Sequence, residues 1–145
     1  MEFIKEMKGI KFYNDTTSTT PEGAIAALYA FKNYKGKIIL IGGGSDKNLD
    51  YREYAKTVKK YVKALILFQG AASDKIIKEL KIKETLNWAV APPSLNVERS
   101  KSKSSKFMFF SEIDSMKKAL EFAVSCAKKG DIVLLSPGAA SFGVF

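Results

Sequence analysis

Four apolar runs constrain the fold of this chain more than any other feature of its sequence. They occupy residues 37–41 (KIILI), 64–68 (ALILF), 107–110 (FMFF) and 131–135 (DIVLL). Runs this short and this apolar are typical of strands that are covered on both faces of a parallel sheet. Because segments with helical periodicity separate them, the sequence predicts a single α/β domain. Its sheet is expected to be doubly wound and mainly parallel, with the four runs as adjacent core strands.

The segments between these runs predict the helices and a hairpin. Helical spacing of the apolar residues predicts four helices, at residues 21–33, 51–61, 70–80 and 111–129. Ser111 is the expected N-cap of the last helix, and Pro21 suits the first position of the first helix. Residues 3–5 and 10–13 predict two short strands around the Lys8-Gly9 turn.

The composition excludes several kinds of site. With one cysteine and no histidine among 145 residues, the chain has no disulfide framework, no zinc site built on His or paired Cys, and no catalysis by His. We expect Cys126 to be a small core residue, and we expect no metal ligands in the chain. The 24 Lys and Arg residues outnumber the 15 Asp and Glu residues. This excess either forms a solvated surface or attracts an anionic partner.

Neither a membrane span nor a signal peptide is recognisable. No apolar run approaches the ~18 residues that a spanning helix needs. The first residues, MEFIKEMKG, are interrupted by acids, unlike a signal peptide. We therefore expect a cytoplasmic monomer with no membrane partner.

One segment, residues 92–106 (PPSLNVERSKSKSSK), has low complexity and no apolar periodicity. We expect a loop there, with residues 95–106 the most mobile internal part. Together with the net charge, the run RSKSKSSK leaves open a basic module that binds nucleic acid or nucleotides. Residues 99–106 contain no aromatic side chain to stack on a base, which argues against a nucleic-acid partner.

Segments rich in glycine, hydroxyl and other polar residues follow four of the predicted strands. These sequences are NDTTSTT, GGGSDKN, QGAAS and SPGAAS. In doubly wound sheets, ligands bind outside the carboxyl ends of the strands. NDTTSTT places an acid and five hydroxyl residues before a helix, more than capping requires. The surplus predicts a site for a phosphate or a hydroxyl-bearing ligand at this edge.

The tri-glycine loop satisfies neither standard phosphate motif. The dinucleotide fingerprint needs glycine at its sixth position, where the chain has Lys47. A P-loop needs a second glycine before the lysine and a hydroxyl after it, where the chain has Asn48. The glycines could simply provide a tight exit from a buried strand. Lys47 could offer a point charge to a carboxylate or a phosphate.

Three of these segments together resemble successive motifs of one family. YNDTTSTTPEGAIAAL, IILIGGGSDKNLDY and DIVLLSPGAASF are similar to motifs in the carboxy-terminal domain of Mur ligases. The pattern is closest to the members that add D-glutamate to UDP-N-acetylmuramoyl-L-alanine, which tend to carry Asn-Asp-Ser or Asn-Asp-Thr before the first helix. The resemblance covers essentially the whole chain. It implies a Rossmann-like fold and a role in peptidoglycan precursor synthesis.

The resemblance also implies that separate domains bind separate substrates. Mur ligases have three domains, and a central domain holds most of the contacts to ATP and Mg²⁺. ATP phosphorylates the carboxylate of the UDP-sugar substrate, and the incoming amine attacks the resulting acyl phosphate. The carboxy-terminal domain closes over the site and binds the amino acid. We therefore expect residues 1–145 to be this domain, excised from a larger enzyme and truncated at its end, without catalytic residues and inactive alone.

The resemblance assigns roles to individual residues. Asp15 corresponds to an acid that contacts the ATP ribose, with Asn14 and Thr17 on the same nucleotide side. Thr17 departs from the family, because relatives often carry Lys there. The residues that correspond to contacts with D-glutamate are Thr19, Lys47, Ser141 and the backbone of Phe142.

Two alternatives remain open. Asp15 and Thr19 could be helix-capping residues only. The domain could also come from another Mur ligase or from a folylpolyglutamate-type amino-acid ligase.

Overall fold

One six-stranded sheet forms the centre of the protein. The computed structural model describes residues 1–80 and 107–140. The sheet has the order β1-β2-β6-β3-β4-β5, in which β1 and β2 are antiparallel and every other neighbouring pair is parallel. The strands are β1 (Glu2–Met7), β2 (Ile10–Asn14), β3 (Ile38–Gly43), β4 (Val62–Phe68), β5 (Met108–Ile113) and β6 (Ile132–Leu135).

The four predicted core strands are confirmed as neighbours. They form the contiguous parallel block β6-β3-β4-β5. Ile38 to Ile41 of β3 are completely buried, as are Ala64 to Phe68 of β4. These runs form the central strands because a strand in the middle of the sheet is covered by helices on both faces, which requires apolar side chains on both.

Helices cover both faces of this sheet. They are α1 (Pro21–Ala30), α2 (Arg52–Tyr61), α3 (Ala71–Leu80) and α4 (Met116–Cys126). Gly42 faces Tyr54 of α2, whereas its neighbour Ile41 lines a groove beside α4. Because successive residues of a strand point to opposite faces, α2 and α4 lie on opposite sides. The doubly wound prediction is confirmed. None of these helices combines the length and the apolar character that crossing a bilayer would require.

The predicted N-terminal hairpin is present, and it also extends the main sheet. Met7 pairs with Ile10 across the turn. On its other side β2 runs parallel to β6, with Lys11 opposite Ile132 and Asn14 opposite Leu135. β6 therefore lies between β2 and β3, although it follows both in the sequence.

The predicted start of the last helix is wrong. Ser111 lies within β5, and the N-cap is Ser115, whose hydroxyl accepts a hydrogen bond from the Lys118 N–H at 3.2 Å. The strand continues because Ile113 is buried against β4, where it pairs with Phe68. The helix also ends at Cys126, before the predicted residue 129. Cys126 is buried, as expected for a core residue. The expected loop at 92–106 lies outside the described residues.

Candidate functional site

Loops that follow the parallel strands meet at one edge of the sheet, which we call the C-terminal edge. They comprise residues 15–20 after β2, 44–51 after β3, 69–70 after β4 and 136–140 after β6. Backbone hydrogen bonds join them. Gly138 N–H donates to the Ser18 carbonyl at 2.8 Å, and Ser45 N–H donates to the Ala140 carbonyl at 2.9 Å. The loop after β6 thus holds together the two loops that the sequence singled out.

Asp15 anchors the first of these loops. Its side chain is buried, and Oδ2 accepts hydrogen bonds from the hydroxyls of Ser18 and, at 2.9 Å, Ser136. Its backbone N–H donates to the Leu135 carbonyl at 2.7 Å. Oδ1 lies 3.6 Å from the α-amino nitrogen of Met1. Asp15 therefore has a structural role, and Oδ1 is the carboxylate oxygen that remains for a further donor.

The hydroxyl cluster divides into structural and unpaired members. Thr20 is the N-cap of α1, accepting a hydrogen bond from Gly23 N–H at 3.2 Å, and Ser18 is bonded to Asp15. The side chains of Thr17 and Thr19 have no hydrogen-bond partner within residues 1–80 and 107–140. Capping thus accounts for only part of the cluster, and the remaining hydroxyls are available to a ligand.

Asn14 shapes the same loop. Its side-chain oxygen Oδ1 accepts a hydrogen bond from the Thr16 N–H at 3.2 Å, which closes a tight turn at the end of β2. This contact orients the loop and leaves the Asn14 amide group as the part that a ligand could meet.

Lys47 is exposed on the loop after β3, and the neighbouring acids do not neutralise it. Asp46 lies 2.8 Å from Lys75 Nζ, and this contact holds the pKa of Asp46 below its usual value. Asp50 lies 2.7 Å from Arg52, whose hydrogen bonds lower the pKa of Asp50 to about 2. Lys47 has no ion-pair partner in the described part of the chain. Its ammonium group is therefore available to an anionic ligand.

The glycines beside Lys47 have packing reasons of their own. Gly44 has φ +140°, and a Cβ there would collide with the carbonyl oxygen of Ala140. Gly43 has φ +86°, and its Cβ would collide with Ser73 Oγ. Both glycines allow the loops after β3, β4 and β6 to approach closely. The glycines therefore support the tight-exit interpretation, and a binding role for this loop depends on Lys47 itself.

Two residues that the sequence did not single out stabilise the edge. Ser73, at the start of α3, accepts a hydrogen bond from Gly44 N–H at 3.1 Å and donates to the Phe68 carbonyl. Tyr51 donates its hydroxyl to the Gly138 carbonyl at 2.9 Å. A serine in the first turn of a helix is a common capping signal, whereas nothing local to Tyr51 predicts a partner so distant in the sequence.

Replacing Tyr51 by phenylalanine should leave the Gly138 carbonyl without its buried donor. We expect a loss of about 1–3 kcal/mol in the free energy of unfolding at neutral pH, measured by urea denaturation. Tyr29→Phe, at an exposed tyrosine, is the control and should change stability much less. Equal stability of Tyr51→Phe and the unsubstituted protein would contradict the role of this hydrogen bond.

Tyr51 should also make the stability of the protein depend on pH in the alkaline range. Burial raises the pKa of Tyr51 from its ordinary value of 10.0 to about 12. The neutral hydroxyl of Tyr51 therefore contributes its full stabilisation of the folded state below pH 10, and this contribution is lost as the pH rises through 12. Burial also raises the pKa of Tyr54, whose hydroxyl has no hydrogen-bond partner among the described residues. Tyr51→Phe should consequently flatten, without abolishing, the fall in stability over this range.

The candidate residues fall into two groups on either side of β6. Asn14, Asp15, Thr17 and Thr19 follow β2, and Lys47 follows β3. Because β6 separates these strands, the two groups are two strand spacings apart, roughly 10 Å at the level of the sheet. Ser141 and Phe142 lie outside the described residues.

Comparison with known proteins identifies the family. A profile described as "Mur ligase, glutamate ligase domain" matches residues 1–138.

The chain belongs to the Mur ligase family.

Curated relatives of this Mur ligase domain share one name, "UDP-N-acetylmuramoylalanine--D-glutamate ligase". Those from Roseiflexus sp. (strain RS-1) and Caldicellulosiruptor bescii are 37% and 38% identical over 145 residues, which is 100% of this chain and 26% of each relative. The relative from Borreliella burgdorferi (strain ZS7) is 36% identical over 145 residues, which is 100% of this chain and 27% of the relative. The chain thus spans about a quarter of the length of the relatives it matches.

ATP and Mg²⁺, which the sequence resemblance implies, place different demands on the side chains of the C-terminal edge. Oδ1 of Asp15 can accept a hydrogen bond from a hydroxyl group, and the hydroxyl of Thr17 can donate one to a phosphate oxygen. Mg²⁺ requires several oxygen ligands at one point. No group of three His, Cys, Asp or Glu side chains in residues 1–80 and 107–140 is arranged to hold a metal ion. These residues therefore fit one end of a nucleotide and do not fit Mg²⁺.

Proposed function

We propose that this chain is the amino-acid-binding domain of an ATP-dependent ligase that joins D-glutamate to UDP-N-acetylmuramoyl-L-alanine. The names of the relatives suggest the reaction. The observation that carries the proposal is the exposed, unpaired ammonium of Lys47 at the edge where such sheets bind ligands. D-Glutamate differs from neutral amino acids by a side-chain carboxylate, which a lysine in a closed site recognises through a charge-assisted hydrogen bond.

The remaining candidates complete two subsites. Lys47 binds the side-chain carboxylate of D-glutamate, and Thr19 contributes a hydroxyl to the same amino acid, together with Ser141 and the backbone of Phe142. Asp15 binds a ribose hydroxyl of ATP, with Asn14 and Thr17 beside it. Asn14, Asp15 and Thr17 follow β2 and lie roughly 10 Å from Lys47 at the level of the sheet, which supports this separation of nucleotide from amino acid. Thr19 follows β2 as well and would contact the amino acid from that side.

The domain contributes to the reaction by binding and orientation. ATP supplies the phosphoryl group that activates the carboxylate of the UDP-linked substrate, and the rest of the enzyme holds most of ATP together with Mg²⁺. By fixing the side-chain carboxylate of D-glutamate, Lys47 directs the amino group toward the activated carbonyl, which saves the entropy of orienting a free amine. We further propose that the enzyme is a cytoplasmic monomer.

An amino-acid titration of the full-length enzyme tests the proposal directly. Phosphate release in the presence of ATP and UDP-N-acetylmuramoyl-L-alanine should require D-glutamate. L-Glutamate, D-aspartate and D-glutamine are the matched comparisons, because each alters one feature of the substrate: configuration, chain length or side-chain charge. Turnover that prefers a different amino acid or a different nucleotide-linked acceptor would show that the domain serves another ligase.

Asp15→Ala in the full-length enzyme should weaken the binding of ATP more than the binding of D-glutamate. Loss of one hydrogen bond to a carboxylate predicts about a tenfold or greater rise in the KM for ATP. Ser136→Ala is the matched control, since it removes a donor to Asp15 while leaving the carboxylate in place. If Asp15 only anchors its loop, both substitutions will raise the two KM values in the same proportion.

The 145-residue chain alone should neither hydrolyse ATP nor form an amide bond. Phosphoryl transfer needs a phosphate cradle and a metal ion held opposite the attacking oxygen. The sequence contains no P-loop. A coupled phosphate assay of the purified chain measures this. Turnover that scales with chain concentration and survives further purification would contradict the prediction.

A further inference from the structure

The loop after β3 is fastened to the first turn of α3. Ala72 N–H donates to the Gly44 carbonyl at 3.0 Å, and Gly44 N–H donates to Ser73 Oγ at 3.1 Å. On its other side the loop forms an isolated antiparallel bridge between Ser45 and Ala140. The backbone is therefore fixed on both sides just before it reaches the exposed lysine of this loop.

Asp46 uses each of its carboxylate oxygens for a different contact. Oδ1 accepts a hydrogen bond from the Asn48 N–H at 2.7 Å, which closes a turn with Lys47 at its centre. Oδ2 lies 2.8 Å from Nζ of Lys75, on α3. This ion pair is partly shielded, since the side chains of Lys75 and Asp46 are 38% and 20% exposed. Lys75 thus holds, from a helix, the turn that carries Lys47.

The turn is also held at its far end. Asn48 has φ +61°, a left-handed conformation that asparagine adopts more readily than most residues. Leu49 then packs against the hydrophobic core, and Tyr51 is buried. Lys47 is therefore an exposed residue between two fixed segments, and the direction in which its backbone presents the side chain is set by its neighbours.

Lys75 also keeps a competing charge away from Lys47. Asp46 and Asp50 both lie close to Lys47 in the sequence, and a free carboxylate there would compete with a ligand for the ammonium group. The structure gives each acid another cation. Lys75 occupies Asp46, and Arg52 occupies Asp50 at 2.7 Å. Without Lys75, the carboxylate of Asp46 would lower the positive potential at Lys47.

We infer that Lys75 is a positioning residue that sets the preference for a long acidic side chain, by acting through Asp46 to hold Lys47 in place. The inference rests on the proposed function, because it requires Lys47 to bind the side-chain carboxylate of D-glutamate. A lysine has a flexible stem, and on a loose loop it would follow the carboxylate of a shorter substrate as well. A fixed turn limits that reach, so D-aspartate, which is one methylene shorter, gains little from Lys47.

Lys75→Gln in the full-length enzyme tests the inference. We expect the KM for D-glutamate to rise about three- to fivefold, near the upper end of what a partly exposed ion pair contributes. The kcat/KM for D-aspartate should not fall, because that substrate makes little use of Lys47. The preference for D-glutamate over D-aspartate should therefore narrow, while the KM for ATP stays unchanged. Steady-state titration of both amino acids and of ATP measures these constants.

Three further variants show whether Lys75 acts through Asp46. Lys75→Arg keeps the charge and should retain most of the affinity for D-glutamate. Asp46→Asn keeps an acceptor for the Asn48 N–H and removes the competing charge, so adding it to Lys75→Gln should restore part of the lost affinity. Lys78→Gln removes an exposed charge one turn further along α3 and should leave every KM within about twofold. Thermal unfolding checks the fold of each variant.

Two results would overturn the inference. An equal fall in kcat/KM for D-glutamate and D-aspartate in Lys75→Gln would show that the ion pair only stabilises the fold. The same effect of Lys75→Gln in the presence and in the absence of Asp46→Asn would show that Lys75 does not act through Asp46.

Lys47→Ala in the same assay separates this inference from the proposed function. If Lys47→Ala raises the KM for D-glutamate but Lys75→Gln does not, the inference is wrong and the proposed function stands. If neither substitution changes that KM, the role of Lys47 in the proposed function fails as well.

Discussion

Lys47→Ala in the full-length enzyme should raise the KM for D-glutamate by about 10- to 150-fold. A charge-assisted hydrogen bond in a closed site contributes roughly 1.5–3 kcal/mol, and each ~1.4 kcal/mol is a factor of ten. The KM for ATP should change much less, because the nucleotide residues lie on the far side of β6. Steady-state titration of each substrate, with the other saturating, measures both constants.

The control for this experiment is Lys56→Ala, another exposed lysine, which contacts only Glu53 among the ion pairs described. It should leave both constants within about twofold, since exposed pairs on a helix contribute little. Lys47→Arg keeps the charge and should retain part of the affinity for D-glutamate. If Lys47→Ala leaves the KM for D-glutamate and kcat unchanged, Lys47 is a solvated loop residue and the glycines before it serve packing alone.

Gly44→Ala, on the loop after β3, should be strongly destabilising. Its backbone has φ +140°, which L-residues rarely adopt, and the new methyl group would collide with the Ala140 carbonyl oxygen. Backbone strain and overpacking each cost about 1–3 kcal/mol, so we expect the free energy of unfolding to fall by about 2–6 kcal/mol. This is a large part of the ~5–15 kcal/mol that stabilises a typical domain. Urea denaturation of the 145-residue chain gives the value.

Gly36→Ala is the control that measures the cost of backbone strain without the cost of a steric collision. Gly36 also has a positive φ, +78°, but no atom lies within 4 Å of the position that a Cβ would occupy. This variant should lose only about 1–2 kcal/mol, the cost of a left-handed backbone alone. Equal losses at the two positions would mean that the contact between Gly44 and the loop after β6 contributes nothing to stability.

The core strands could be predicted from the sequence because a strand buried on both faces is a continuous apolar run. The length of β5 could not. Ser111 and Ser115 are both acceptable N-caps, and the choice depends on Ile113, whose burial against β4 extends the strand beyond Ser111. The pairing of β2 with β6 also escaped prediction. β2 is only partly buried, and its partner is far away in the sequence.

The position of the candidate site could be predicted for a similar reason. Parallel strands bring their carboxyl ends to one edge, so unusual residues after several strands were expected to gather there. The partnerships could not be predicted, because they depend on the order of the strands. Asp15 with Ser136, and Tyr51 with Gly138, both require β6 to lie between β2 and β3. A local pattern contains no information about that order.

The central position of β6 has a consequence for biosynthesis. During synthesis β1 to β5 emerge from the ribosome before β6. Without β6 they can form only the β1-β2 hairpin and a separate three-stranded sheet of β3, β4 and β5. Each fragment then exposes an unpaired strand, β2 or β3, which is a hazard for aggregation. Ile132 to Leu135 must enter between these two edges, so closure of the described sheet waits until β6 has left the exit tunnel. A nascent chain whose residues 132–135 are still inside the ribosome should therefore depend on chaperones more than one in which these residues have emerged.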